Sequence, residues 1–162
     1  MSKPKPPRRR LDEILIEEGL VSEADVTEAL LRQKAYGGKF GSQVLFHRHI
    51  DEAALVRALS IQFGCKGVVL GGREIPDDVL RMIPRKVCLS RRVLPYAYDA
   101  DTETLKIACE DPGDPDLERE LSFVAGGRKV QLYVSAELAL NTALARYHLG
   151  RNVSLEDSLL LE

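Results

Sequence analysis

Arg10 and Lys39 are the residues of this chain best suited to hold an anion. Each stands just ahead of a short apolar segment, beginning Leu11 in one case and Phe40 in the other. A helix starting there leaves backbone N–H groups without partners, and these add to the attraction. The planar guanidinium of Arg10 can also stack on a purine and donate to its edge, which the ammonium of Lys39 does less well. Gln33 and Gln62 close the longer segments that follow, with amides able to bond a ligand or a loop carbonyl. Leu11, Leu15, Phe40 and Val44 lie beside the two cations and can cover the faces of bases or sugars. Together these types suggest capture of an anion carrying two phosphates, or of two such anions, with no bond made or broken. The same residues have a plainer reading, in which the cations are solvated, the leucines are core and the glutamines tie helices together.

The positioning elements are legible as a repeat. Arg10 to Gln33 aligns with Lys39 to Gln62 at an offset of 29 residues. Leu11 falls on Phe40, Leu15 on Val44, Val21 on Ile50, Ser22 on Asp51, Val26 on Leu55 and Leu30 on Leu59. Ser22 and Asp51 are N-cap types, each followed by a Glu that the positive end of a helix favours. The pattern predicts two helix pairs of one layout, a short helix and then a longer one. Neither pair can bury its apolar face alone, so they must pack together. If they do, Arg10 and Lys39 face one shared cleft.

After Gly64 the texture changes. Lys66 to Leu70 reads as a short β-rich run, followed by a short helix from Asp77 to Ile83 and another from Pro84 through Cys88. Val93–Tyr98 and Thr104–Cys109 read as a β-hairpin. A helix around Pro115 to Val124, a strand from Lys129 to Val134 and a helix from Ala136 to Leu149 capped by Ser135 complete the chain. The expected class is α+β: an all-helical first part of two duplicated helix pairs, then a small α/β part with a mainly antiparallel sheet. The expected divisions are a basic flexible arm at 1–9, the duplicated helical subdomain at 10–63, the α/β subdomain at 64–150 and a tail or linker at 151–162.

Composition is that of a globular protein, 44% apolar and 30% charged over 162 residues with a net charge of −2. Residues 1–10 concentrate two Lys and three Arg with no acid, a basic arm that can meet nucleic acid or an anionic surface but reads more simply as a solvated tail. Cys65, Cys88 and Cys109 are odd in number and widely spaced, which suits buried reduced thiols rather than disulfides or a zinc site. No apolar run reaches the roughly 20 residues of a membrane span, and no signal peptide opens the chain, so a cytoplasmic setting without membrane insertion is expected. HExxH, GxSxG and P-loop motifs are missing, and the Gly-Gly pairs before Lys39, Arg73 and Arg128 lie in turns. An enzyme is therefore not expected.

The doubled 24-residue pattern, IPDDVLRMIPRKV, RRVLPYA, the LKIACEDPGD turn and ALARYHLG together resemble one family. This is the N-terminal domain of the ATPases that power type II secretion and type IV pilus assembly, in the subfamily whose duplicated motif binds cyclic di-GMP. The resemblance spans Arg10 to Gly150. It implies a bacterial regulatory domain that binds cyclic di-GMP, needs no cofactor, and relays the signal to a secretion or pilus-assembly ATPase or platform protein at the inner membrane. Nucleic acid is not an expected partner. The family's ligand pattern maps onto Arg10, Leu11, Leu15, Gly19, Leu20, Leu30 and Gln33 in the first copy. In the second it maps onto Lys39, Phe40, Gly41, Val44, Leu59 and Gln62, with Arg48 where the family has Gly. Asp111, in the turn after the hairpin, is expected to reach the ligand from the second subdomain. The chain departs from the family at Asp12, Lys39, Arg48 and His49. A carboxylate at 12 opposes an anionic ligand, and Lys39 lacks the fork of arginine. The competing expectation is an adaptor of the same machinery that binds protein and no nucleotide.

Overall fold

A computed structural model describes residues 9–46 and 50–149. The expectations placed on the N-terminal arm before Arg9, on Arg48 and His49, and on the tail from 150 onward lie outside the described residues.

Four helices come first: α1 (Leu11–Glu17), α2 (Glu23–Tyr36), α3 (Phe40–Phe46) and α4 (Glu52–Phe63). Local chemistry sets their starts. Ser22 Oγ accepts from Asp25 N at 3.1 Å while the Asp25 carboxylate accepts from Ser22 N at 2.9 Å, a reciprocal cap on α2. The Asp51 carboxylate caps α4 through Ala54 N at 2.8 Å. The helices pack crosswise, α1 on α4 and α2 on α3. Ile14, Leu15, Val44, Leu55 and Ala58 are buried on their inner faces.

The second part holds α5 (Asp77–Leu80), α6 (Arg85–Arg91), β1 (Val93–Asp99), β2 (Thr104–Cys109), α7 (Leu117–Val124), β3 (Lys129–Val134) and α8 (Glu137–His148). The class is α+β, with one three-stranded sheet in the order β1-β2-β3 among the described residues. β1 and β2 form the expected hairpin, Val93 opposite Cys109 and Asp99 opposite Thr104, with a register shift between Pro95 and Ala97. β2 and β3 run parallel, Thr104 beside Lys129 and Cys109 beside Val134. The sheet is thus mixed, which corrects the expected mainly antiparallel one. The helix α7 is a crossover that returns the chain to the end from which β2 started, so β3 must run the same way.

Two further expectations change. Lys66 to Leu70 forms a single bridge, Gly67 to Val134, and no strand. The N–H groups of Leu70 and Gly71 go to the Glu52 carboxylate, at 2.7 and 3.1 Å, instead of extending the ladder. Ser135 does not cap α8, whose N-cap is Ala136. Its hydroxyl donates to the Cys109 carbonyl at 3.3 Å, tying the exit of β3 to the exit of β2.

α4 and α7 lie against β3, while α5, α6 and α8 lie against β1. Leu94, Leu105, Ile107, Leu121, Leu138 and Leu140 are fully enclosed between them. Each such burial is worth about 1.5–3 kcal/mol, more than a typical cap of about 1 kcal/mol. The core therefore sets how the helices sit on the sheet, and the caps only trim their ends.

Candidate functional site

A cavity of about 260 Å³ opens where α1, α3 and α4 meet the ends of β2 and β3. Leu11 reaches it from α1, and Lys39, Phe40, Gly41, Ser42 and Leu45 from α3 and the residue before it. Leu55, Leu59, Gln62 and Phe63 contribute from α4, Glu110 from the turn after β2, and Ser135, Glu137 and Leu138 from the start of α8. Gly41 lets these walls approach: a β-carbon there would lie 3.2 Å from Leu11 Cδ2 and 3.4 Å from Leu55 Cδ1.

The lining mixes apolar side chains with the polar Lys39, Ser42, Gln62, Glu110, Ser135 and Glu137, and small-molecule sites likewise combine apolar walls with placed polar groups. Lys39 Nζ lies 3.5 Å from Glu110 Oε2. The other oxygen of Glu110 accepts from Arg92 Nε at 2.7 Å. Ser42 Oγ donates to the Glu137 carboxylate at 3.1 Å. The Gln62 amide donates to the Arg9 carbonyl at 3.1 Å, holding the chain that leads into α1. Two carboxylates and one ammonium thus line the cavity.

Of the residues singled out in the sequence, Leu11, Lys39, Phe40, Gly41, Leu59 and Gln62 are brought together here. Arg10 is not in the lining. Its exposed guanidinium is taken by Asp12, with both contacts at 3.1 Å, and does not line the cavity beside Lys39. Carboxylate and guanidinium two residues apart on one exposed turn satisfy each other first. Leu15 and Val44 are core, and Leu20 packs half-buried against it. Gly19 follows α1 at φ +69°. Leu30 is exposed on α2. The Gln33 amide donates to the Gly38 carbonyl at 3.1 Å, a local bond in the loop before α3. Asp111 lines a neighbouring hollow with Arg91, Arg92 and Asp114, where its carboxylate accepts from Gly113 N at 3.2 Å. Arg48 lies outside the described residues.

Sequence reasoning passed over Glu110, Ser42 and Glu137. Glu110 directly precedes Asp111, so its position in the turn was visible, but nothing local said that it would point at Lys39. No described Cys lines the cavity, and burial pushes the Cys88 and Cys109 thiols up to about 12. No group of His, Cys, Asp and Glu among the described residues is arranged to hold a metal ion. No described helix is long and apolar enough to cross a membrane.

Comparison with known proteins gives a consistent picture. Residues 61–152 match the MshEN domain. The type IV pilus assembly ATPase PilB of Myxococcus xanthus is 27% identical over 148 residues, covering 91% of this chain and 26% of that protein. PilB of Thermus thermophilus is 24% identical over 140 residues, 86% of this chain and 16% of that protein. The chain therefore spans about a quarter or less of these relatives. A structure of MshE with cyclic di-GMP is 27% identical, has a TM-score of 0.59, and covers 86% of this chain and 99% of that one. The N-terminal domain of XpsE, at 17% identity and a TM-score of 0.52, has the same fold, with 86% and 94% covered.

Proposed function

We propose, for a chain that belongs to the MshEN domain family, a non-catalytic regulatory role in which cyclic di-GMP binds at the cavity between the helical and α/β parts. The observation that carries this reading is the meeting of Leu11, Lys39, Phe40, Gly41, Leu59 and Gln62 around one opening. These residues come from two sequence segments with a common pattern. Helix starts support a duplication: Leu11 to Phe40 and Glu23 to Glu52 are both 29 residues apart. The cross-packing of each short helix on the longer helix of the other segment is what a pseudo-twofold pair of hairpins produces. The likeness to MshE, a protein whose structure with cyclic di-GMP is solved, points to the same ligand.

The cavity is smaller than the roughly 300–1,000 Å³ of a site that encloses a whole small molecule. It accepts one base or sugar, while the rest of the dinucleotide lies across the surface next to Lys39. Binding there presses on both parts of the fold at once, which lets occupancy bias their packing and reach a partner in the pilus or secretion machinery. Titration of the full chain with fluorescent cyclic di-GMP tests the reading. Saturable binding that Lys39→Ala weakens is expected; no binding up to about 100 μM overturns it.

A second reading has its own support. Asp12 neutralises Arg10, and Leu31 and Tyr36 on α2 are 63% and 78% exposed. In this reading the domain is an adaptor that contacts protein through α2 and binds no nucleotide. Leu31→Lys with Tyr36→Lys then abolishes partner capture and leaves cyclic di-GMP titrations unchanged.

A further inference from the structure

Lys39, Glu110 and Arg92 form a line of charge that runs from the helical part into the α/β part. Arg92 follows α6 and holds the left-handed backbone conformation at φ 53°, uncommon for a residue with a side chain. Its Nε donates to Glu110 Oε1 at 2.7 Å and its terminal nitrogen donates to Asn141, buried on α8. One oxygen of Glu110 is thereby fixed to the α/β side. The other, Oε2, is sealed from solvent and makes no hydrogen bond. It meets Lys39 Nζ at 3.5 Å, a Coulombic contact without hydrogen-bond alignment. Lys39 itself is more than half exposed, so its ammonium is free to turn outward. A buried carboxylate oxygen with no donor is costly to leave alone and is held in place only by what anchors its partner atom.

We infer that Glu110 is a specificity-determining residue of the cavity: its anchored carboxylate and a ligand phosphate compete for the one ammonium of Lys39. The inference rests on the nucleotide reading above and adds to it. An anion gains little from a cation that already carries its counter-charge, and it meets repulsion from the carboxylate behind. To bind, it must draw Lys39 out of the pair. That undoes a tie between the start of α3 and the turn after β2, so ligand entry and loosening of this contact become one event. A lone phosphate, with only the ammonium to gain, is refused. A ligand that also fills the apolar lining with a base keeps enough contacts to compete.

The experiment compares cyclic di-GMP and pyrophosphate binding by calorimetry on the full chain and on Glu110→Gln, which keeps an oxygen for Arg92 but removes the charge facing Lys39. Glu110→Asp, which keeps the charge and shortens the reach, is the second variant. Glu110→Gln is expected to bind cyclic di-GMP about fivefold more tightly, the scale of a half-exposed ion pair. It should also give a measurable pyrophosphate signal. Glu110→Asp should shift in the same direction by less. Adding Lys39→Gln to Glu110→Gln must erase the gain, a result that a general loosening of the fold does not produce. If the unaltered chain binds cyclic di-GMP and both Glu110 variants bind equally or more weakly, the competition is overturned and the nucleotide reading stands. If no form binds either anion, both fall together.

Discussion

The side-chain amide of Gln62 donates to the backbone carbonyl of Arg9 at 3.1 Å across 53 residues of sequence, so the last turn of α4 fixes the chain that enters α1. Gln33, 29 residues earlier and likewise near the end of a long helix, donates to the Gly38 carbonyl five residues on. The two glutamines therefore do different work. Gln62→Ala is expected to lower stability by about 1 kcal/mol and, under the proposed function, to weaken cyclic di-GMP binding, because Leu11 loses its support at the cavity wall. Gln33→Ala should leave the affinity within about twofold, since Gln33 is outside the lining. Urea denaturation and ligand titration of the two variants check this, and equal effects on affinity would count against an asymmetric site.

The contrast between the two glutamines shows what the sequence carries. Helix starts at Leu11, Glu23, Phe40 and Glu52, together with the capping by Ser22 and Asp51, were readable because spacing and cap chemistry are local. The β1–β2 hairpin was readable for the same reason. The parallel pairing of β3 was not, since it depends on where α7 returns the chain. Nor was the pairing of Arg10 with its neighbour Asp12, since a flexible exposed guanidinium has several partners within reach. Glu110 reaches Lys39 across 71 positions, and no period or motif encodes a meeting made by tertiary packing.

Gly67 sits so close to α4 that a β-carbon on it would lie 2.4 Å from Val56 Cγ1, with the Val134 and Val56 carbonyls at 3.3 Å. Gly67→Ala is expected to destabilise the fold by about 1–3 kcal/mol, because the branched Val56 side chain and two backbone carbonyls leave little room to adjust. Gly41→Ala meets only the ends of leucine side chains at 3.2 and 3.4 Å. It should cost less stability while narrowing the cavity. Denaturant midpoints at constant slope separate the two, and an equal loss at both sites would argue against the close α4–β3 approach.

Burial pushes the Cys88 and Cys109 thiols up to about 12, so at pH 8 only roughly one in ten thousand is a thiolate. Cys65 is half-buried and raised by burial as well, but it is the one an alkylating reagent can reach. Native protein exposed to iodoacetamide should take up label at Cys65 first, and at Cys88 and Cys109 only when urea unfolds it. Mass spectrometry of the labelled peptides reads the order directly. Labelling of Cys109 at the rate of Cys65 would mean that the region behind Glu110 opens in the native state.

Glu52 begins α4 and accepts from the N–H groups of Leu70 and Gly71. Burial raises its pKa above the ordinary carboxylate value, more than those two bonds lower it. The folded chain therefore holds this proton more tightly than the unfolded chain does. The associated stability is fully present below the unfolded carboxylate value and is lost as pH rises through the raised one. Glu52→Gln cannot ionise, yet its amide oxygen still accepts from Leu70. Relative to that variant, the unaltered protein should lose stability as pH rises from about 4, the ordinary carboxylate value, through the raised one, as followed by urea midpoints at each pH. A relative gain over the same range would show that the two backbone donors outweigh desolvation. The Glu52 carboxylate would then be a clamp on the Leu70–Gly71 turn whose charge the fold requires.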